Sequence, residues 1–190
     1  LMDYFAGAPG PVTAVPGAGL EVPLWILGSS LYGAQVAAHF GLPYAFASHF
    51  APAQMMQAIA VYRERYRPSS RHPEPYVMLG YNVFAAGTDE EAALLASSMQ
   101  QAFVNLRTGN PKRLPPPVPG YLESLSPPAR AMLDQVLSCT AIGSREAVAR
   151  ALREFVARTG ADELMITSQV WDHAARLRSF EIASEAARAP

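Results

Sequence analysis

Between Pro23 and Ala47 the chain reads as a strand, a helix and a second strand in fewer than 30 residues, and that spacing constrains the fold more than any other feature. Pro23-Leu24-Trp25-Ile26-Leu27 is a short continuous apolar run, the pattern of a strand buried on both faces. It stops at Gly28-Ser29-Ser30, and a helical stretch runs from Ser30 to Phe40. Gly41 suits the left-handed position that closes a helix. Tyr44-Ala45-Phe46-Ala47 follows as a second apolar run. Two buried strands joined this closely through a helix make a right-handed parallel βαβ unit.

The alternation continues. Pro52 suits a first helical position, and Met55, Ile59, Tyr62 and Tyr66 recur at helical spacing along one face. Tyr76 to Phe84 reads as a third strand. Thr88 with Glu91 forms a capping box before a helix whose expected apolar stripe is Leu95, Met99, Ala102 and Leu106. Ser144 can cap a further helix with Val148, Leu152 and Phe155 inward and Gly160 at its end. Glu163 to Thr167 reads as a fourth strand, and Asp172 can cap a last helix carrying Leu177 and Phe180. Four strands, each followed by helix, predict an α/β fold with a parallel sheet. Residues 6–22 read as a connection. Residues 108–128 hold seven prolines and no apolar period, which fits either a plain surface excursion or a functional lid.

Composition narrows the function classes. A chain of 190 residues suits one domain, and its 50% hydrophobic content excludes wholesale disorder. A net charge of −1 gives no electrostatic reason to expect nucleic acid or an anionic membrane as partner. No uninterrupted apolar stretch reaches the ~18 residues of a membrane-spanning helix. The single cysteine, Cys139, cannot pair within the chain, which fits a reducing compartment and a cytoplasmic location. The opening Leu1-Met2-Asp3-Tyr4-Phe5 reads like the tail of an amphipathic helix, so an upstream segment is expected.

Two strand ends could carry chemistry. Parallel α/β proteins bind ligands at the carboxyl ends of their strands, where loops lead into helix N-termini with free amides and a positive dipole end. At Gly28-Ser29-Ser30-Leu31-Tyr32 the glycine permits close backbone approach and the serines offer donors to an anion such as phosphate. The same serines would equally serve as a helix cap. At Ala47-Ser48-His49-Phe50 the histidine could donate to a ligand or stack on it, or be an ordinary loop residue. His39, His72 and His173 read as structural or solvent-side positions. The histidines and Cys139 lack metal-ligand spacing, and no serine-nucleophile elbow, Walker loop or Gly-x-Gly-x-x-Gly occurs. Asp89-Glu90-Glu91 reads as a helix N-terminus complementing its dipole.

The stretch Val22-Pro23-Leu24-Trp25-Ile26-Leu27-Gly28-Ser29-Ser30 through Gly41-Leu42-Pro43-Tyr44-Ala45-Phe46-Ala47-Ser48-His49-Phe50 resembles the bacterial-luciferase-like, flavin-dependent monooxygenases. Pro75-Tyr76-Val77-Met78 with Asn82-Val83, Ile142-Gly143-Ser144, Ala161-Asp162-Glu163-Leu164-Met165 and Asp172 to Ser179 continue the resemblance in order along nearly the whole chain. It implies a (β/α)8 barrel of which residues 1–190 form the C-terminal half, the N-terminal half lying upstream. It further implies reduced FMN and oxygen as co-substrates for oxygenating a small organic molecule, with a separate reductase supplying the flavin and a homodimer as the common assembly. By the same resemblance Gly28, Ser29, Ser30 and Tyr32 belong to the region holding the flavin phosphate. Ser48 and His49 lie where the family contacts the flavin, and residues 108–128 fall at the mobile excursion over the active site. Gly28 departs from the acidic residue that luciferases proper carry there, and the phosphate site departs from the commonest barrel location after strands seven and eight. The family's catalytic histidine and cysteine lie in the other half, so no residue of this chain, Cys139 included, is assigned as catalytic. The alternatives are an F420-dependent oxidoreductase of the same barrel, a non-catalytic flavin-binding protein, and a self-contained flavodoxin-like domain with exposed sheet edges.

Overall fold

The computed structural model describes residues 1–8 and 10–188. After a short helix α1 (Met2–Phe5) and an irregular connection, the chain runs β1 (Ile26–Gly28), α2 (Leu31–Phe40), β2 (Tyr44–Phe46), a 3₁₀ turn over Pro52–Gln54, and α3 (Met55–Arg65). It continues with β3 (Val77–Ala85), α4 (Asp89–Arg107), α5 (Tyr121–Ser124), α6 (Pro127–Val136) and β4 (Thr140–Gly143). The last elements are α7 (Arg145–Thr159), β5 (Glu163–Thr167) and α8 (His173–Ala187). Every strand pairing is parallel, so the α/β architecture expected from the sequence is present.

The sheet is built around β3. On one edge β2 pairs with Val77 to Leu79 and β4 then takes over from Asn82 to Ala85; on the opposite edge β5 pairs with Met78 to Asn82. The main-chain bonds Tyr44 N to Tyr76 O and Asn82 N to Cys139 O place β2 and β4 on that one edge, because alternate residues of a strand point their amides and carbonyls the same way. β4 is an addition to the four strands expected. Its Thr-Ala-Ile-Gly run is too short to announce itself, and the pairing with β3 makes it a strand.

One face of the sheet is covered by α2, α3, α7 and α8. There Tyr44, Phe46, Val77, Leu79, Tyr81 and Val83 form a continuous core with Ile59, Tyr62, Leu152 and Phe155. On the other face, α4 and α6 pack only at the carboxyl end of β3, around Phe84, Met99, Phe103, Leu133 and Val136. The rest of that face is open: Leu27 and Met165 are 71% and 51% exposed. It is the concave side expected of one half of a barrel.

The helix signals act as read, with three corrections, the first being that Ser144 stands at the N-cap of α7 but makes no side-chain cap bond. Gly41 and Gly160 close α2 and α7 in the left-handed region, and Thr88 and Asp172 accept cap bonds from the amides of Glu91 and Ala175. In α4, however, the buried face is Ala92, Ala96, Met99 and Phe103, and Leu106 is exposed. In α8, Leu177 and Phe180 point outward and Ser179, Ile182, Ala183 and Ala186 point in. The rotation of α8 is fixed by Ser179, whose hydroxyl accepts from the Ala85 amide at 2.9 Å, on the edge of β3 that β5 has already left. Small residues win these faces because they let the helix approach the sheet.

Candidate functional site

The two strand ends singled out in the sequence adjoin each other. Ala47 N donates to Gly28 O at 2.9 Å, so the β1–α2 turn and the loop after β2 are joined by a main-chain bond. Gly28 also faces Gly33 across the turn, where a Cβ on either would lie in ordinary contact with the other's Cα, so the start of α2 lies against the end of β1. The Tyr44 hydroxyl donates to Ser30 O at 3.2 Å and ties the turn down from below. Burial pushes that hydroxyl up to about 12, so it stays protonated and remains a donor.

Ser30 occupies the N-cap position of α2 but makes no side-chain cap bond, and the first turn contains no acidic residue. Helices α4, α7 and α8 are different. α4 has a Thr88 cap and Asp89, Glu90 and Glu91; α8 has the Asp172 cap; and α7 has Glu146 and the Asp89 carboxylate, which accepts from Ser144 N at 2.6 Å. The backbone amide and the hydroxyl of Ser144 hold Asp89 below the ordinary carboxylate range, so this acid serves as a clasp between α4 and α7. At α2 the positive helix end is left uncompensated, with Ser29 and Ser30 exposed beside it and Tyr32 75% exposed.

The loop after β2 divides its residues between support and surface. Ser48 is fully buried, and its hydroxyl donates to Gly80 O at 2.6 Å. His49 lies against Gly80 on the concave face, where a Cβ on that glycine would overlap the imidazole. Its Nδ1 is buried without a hydrogen-bond partner, and burial lowers its pKa, which favours the neutral ring. Phe50, half exposed, meets Phe103 of α4 with ring centroids 6.1 Å apart. Phe103 belongs to the cluster formed by α4 and α6.

The proline-rich segment is fastened to α4. Val118 N donates to Ser97 Oγ at 2.8 Å, Gln101 Nε2 donates to Pro116 O at 2.9 Å, and Tyr121, Leu122 and Leu125 pack on the α4–α6 cluster. The excursion therefore lies on the concave face at the carboxyl end of β3, next to the His49–Phe50 loop.

Two residues that the sequence reading passed over belong to this region. Asn82, fully buried on the concave face, bonds to the His49 carbonyl; Trp171, 54% exposed, sits in the loop at the carboxyl end of β5. A polar residue inside a doubly buried strand and an aromatic in a strand-end loop were the available signals. Cys139 is buried, its thiol pushed up by burial, with Sγ 3.9 Å from Met55 Sδ. Among the described residues there is no cluster of three or more His, Cys, Asp or Glu suited to a metal, and no helix long and apolar enough to cross a membrane.

Comparison with known proteins gives a consistent set of likenesses. Residues 4–163 match the family profile described as luciferase-like monooxygenase. A protein of that description from Escherichia coli (strain K12) is 46% identical over 187 residues, covering 97% of this chain and 56% of the relative. The Bacillus subtilis (strain 168) protein YvbT is 45% identical over 188 residues, covering 97% of this chain and 56% of its own length. The chain thus spans about half the length of the curated relatives it matches. Among solved structures, apo-MsnO8 is 30% identical with a TM-score of 0.78, covering 97% of this chain and 57% of that one. The fold is also shared with the FMN complex of the oxygenating constituent of 3,6-diketocamphane monooxygenase from Pseudomonas putida. That chain is 18% identical with a TM-score of 0.61, covering 90% of this chain and 49% of its own. An F420-dependent secondary alcohol dehydrogenase is 15% identical with a TM-score of 0.55, covering 90% of this chain and 51% of its own.

Proposed function

The chain belongs to the luciferase-like monooxygenase family, and we propose that residues 1–190 are the C-terminal part of one barrel domain that binds reduced FMN and oxygenates a small organic substrate with molecular oxygen. The observation that carries this reading is the start of α2. Unlike the starts of α4, α7 and α8, it has neither a side-chain cap bond nor a first-turn acid, and it opens beside His49 at the strands' carboxyl ends.

In this reading Gly28, Ser29, Ser30 and Tyr32 form the phosphate end of the site, where free amides, two hydroxyls and the helix dipole favour an anion. His49 meets the flavin ring from the concave face, and Ser48 serves from below by holding the loop that carries it. FMN, when bound, supplies the electrons that activate oxygen; the protein binds, orients and shields it. The apolar wall of Leu27, Met78 and Met165 and the 108–128 segment, acting as a lid, keep water from the reacting ring. A separate reductase delivers the reduced flavin.

Anaerobic titration of the intact protein with reduced FMN, followed by absorbance and by oxygen uptake on mixing with air and candidate substrates, tests this. FMN is expected to bind, and the double variant Ser29→Ala/Ser30→Ala is expected to weaken it about ten- to hundredfold. That range is the net loss of one charge-assisted bond, about 1.5–3 kcal/mol, with the backbone amides still holding the anion. Binding of F420 in place of FMN would move the protein to the hydride-transfer branch; FMN binding without oxygen chemistry would make it a flavin-binding protein.

A further inference from the structure

β3 loses a partner where His49 crosses it. β2 pairs as far as Leu79 and β4 begins at Asn82, so the Gly80 carbonyl between them has no strand to bond. The Ser48 hydroxyl fills that gap at 2.6 Å. Two residues along the same face of β3, the Asn82 side chain donates from Nδ2 to His49 O at 2.8 Å and to Thr140 Oγ1 at 3.3 Å. Its Oδ1 accepts from Thr167 Oγ1 at 2.7 Å. Asn82 is fully buried, and each of its bonds spans to a different element, so its amide serves the loop after β2, β4 and β5 together. An amide suits this position because it offers two donors and an acceptor on one planar group.

We propose that Asn82 and Ser48 form a polar clamp that positions the His49 imidazole against Gly80, leaving Nε2 as the edge presented to the concave face. A histidine that works on a ligand is ordinarily oriented by a hydrogen bond to its other ring nitrogen. Here Nδ1 has no such partner, and the loop has already left the β3 ladder, with Ser48 N turned back onto Phe46 O. The main-chain tie at His49 O and the bare backbone of Gly80 take over the task of setting the ring. With Nδ1 sealed and partnerless, the neutral ring carries its proton on the accessible Nε2 and is a donor to whatever occupies the concave face. What His49 touches rests on the flavin reading; the clamp does not.

The test is made on the intact, flavin-free protein with ¹⁵N-labelled histidine, by following the His49 ring resonances in Asn82→Leu, Ser48→Ala and Thr167→Val. Thr167→Val removes a bond to Asn82 that does not involve His49, so it reports loss of stability alone. The clamp predicts that Asn82→Leu and Ser48→Ala both shift the His49 ring signals and move its titration upward, while Thr167→Val lowers the melting temperature and leaves them in place. Reduced FMN is expected to bind at least tenfold more weakly to Asn82→Leu. If Asn82→Leu fails to fold, Ser48→Ala against Thr167→Val decides the matter. Unmoved His49 signals with lowered melting temperatures would reduce Asn82 and Ser48 to structural residues and overturn the proposal. Moved signals in a protein whose wild type does not bind FMN would keep the clamp and remove the flavin reading.

Discussion

On the helix-covered face of the sheet, Tyr44, Phe46, Leu79 and Val83 are packed under four helices, whereas on the opposite face of the outer strands β1 and β5 Leu27 and Met165 stand in the open. The covered face is almost wholly apolar, and its stability comes from burial. The concave face mixes apolar walls with a hydrogen-bonded knot of Ser48, Asn82, Thr140 and Thr167, and its order comes from directional bonds. Side chains alternate across a strand, so one backbone serves both purposes. The difference teaches that this chain packs one side of its sheet under its own helices and leaves hydrogen-bonding groups and open apolar side chains on the other.

The strongest way to break that division is to truncate one residue on each face. Phe46→Ala should cost about 3–5 kcal/mol by denaturant unfolding, since it leaves a cavity beneath the helices. Leu27→Ala should cost no more than about 0.5 kcal/mol in the 190-residue chain, as an exposed substitution does. In a longer protein whose upstream barrel units cover the concave face, the same Leu27→Ala should cost about 2–5 kcal/mol. Equal costs for Phe46→Ala and Leu27→Ala in the short chain would remove the distinction between the faces.

How well the sequence anticipated each side follows from how each is built. Burial under helices leaves a periodic trace, so β1, β2, β3 and β5 were legible as apolar runs, as were the inward residues of α3 and α7. Where the packing depends on small residues the trace fades: the inner faces of α4 and α8 use alanines and Ser179, and the larger Leu106, Leu177 and Phe180 mislead. β4 was invisible because its four residues become a strand only beside the exposed end of β3. At the site, Gly28-Ser29-Ser30 and His49 stood out because each interrupts an apolar run at its end. Asn82 lay hidden inside one, and its meaning depends on four elements that the sequence keeps far apart.

A smaller effect separates the helix starts capped by a side chain, α4 and α8, from the uncapped start of α2. Thr88→Ala and Asp172→Ala each remove a side-chain cap bond and should cost about 1 kcal/mol. Ser30→Ala removes no cap bond and should change stability by less than about 0.5 kcal/mol. Thermal unfolding of the three variants side by side checks this. A loss at Ser30 equal to that at Thr88 would return Ser30 to a capping role and weaken the case for an anion at α2.

The smallest expected effect is in the pH dependence, and it belongs to the concave face alone. Burial holds His49 below its ordinary 6.5, so as the pH falls past 6.5 the unfolded chain takes up a proton that the folded one refuses. Stability should therefore be level with respect to this group above 6.5, decline below it, and level again once the folded-state ring also protonates. Asp89 acts in a separate window. Its carboxyl lies below the ordinary 3.8, so its contribution is present above that value and is lost only as the pH falls through the lowered one. Urea midpoints measured from about pH 7.5 down to about 5 should thus show a decline that His49→Gln flattens, because glutamine has no proton to gain in that window. An unchanged slope in His49→Gln would mean that the imidazole is as free in the folded protein as in the unfolded one. The sealed Nδ1, and with it the fixed presentation of Nε2 to the concave face, would then have to be given up.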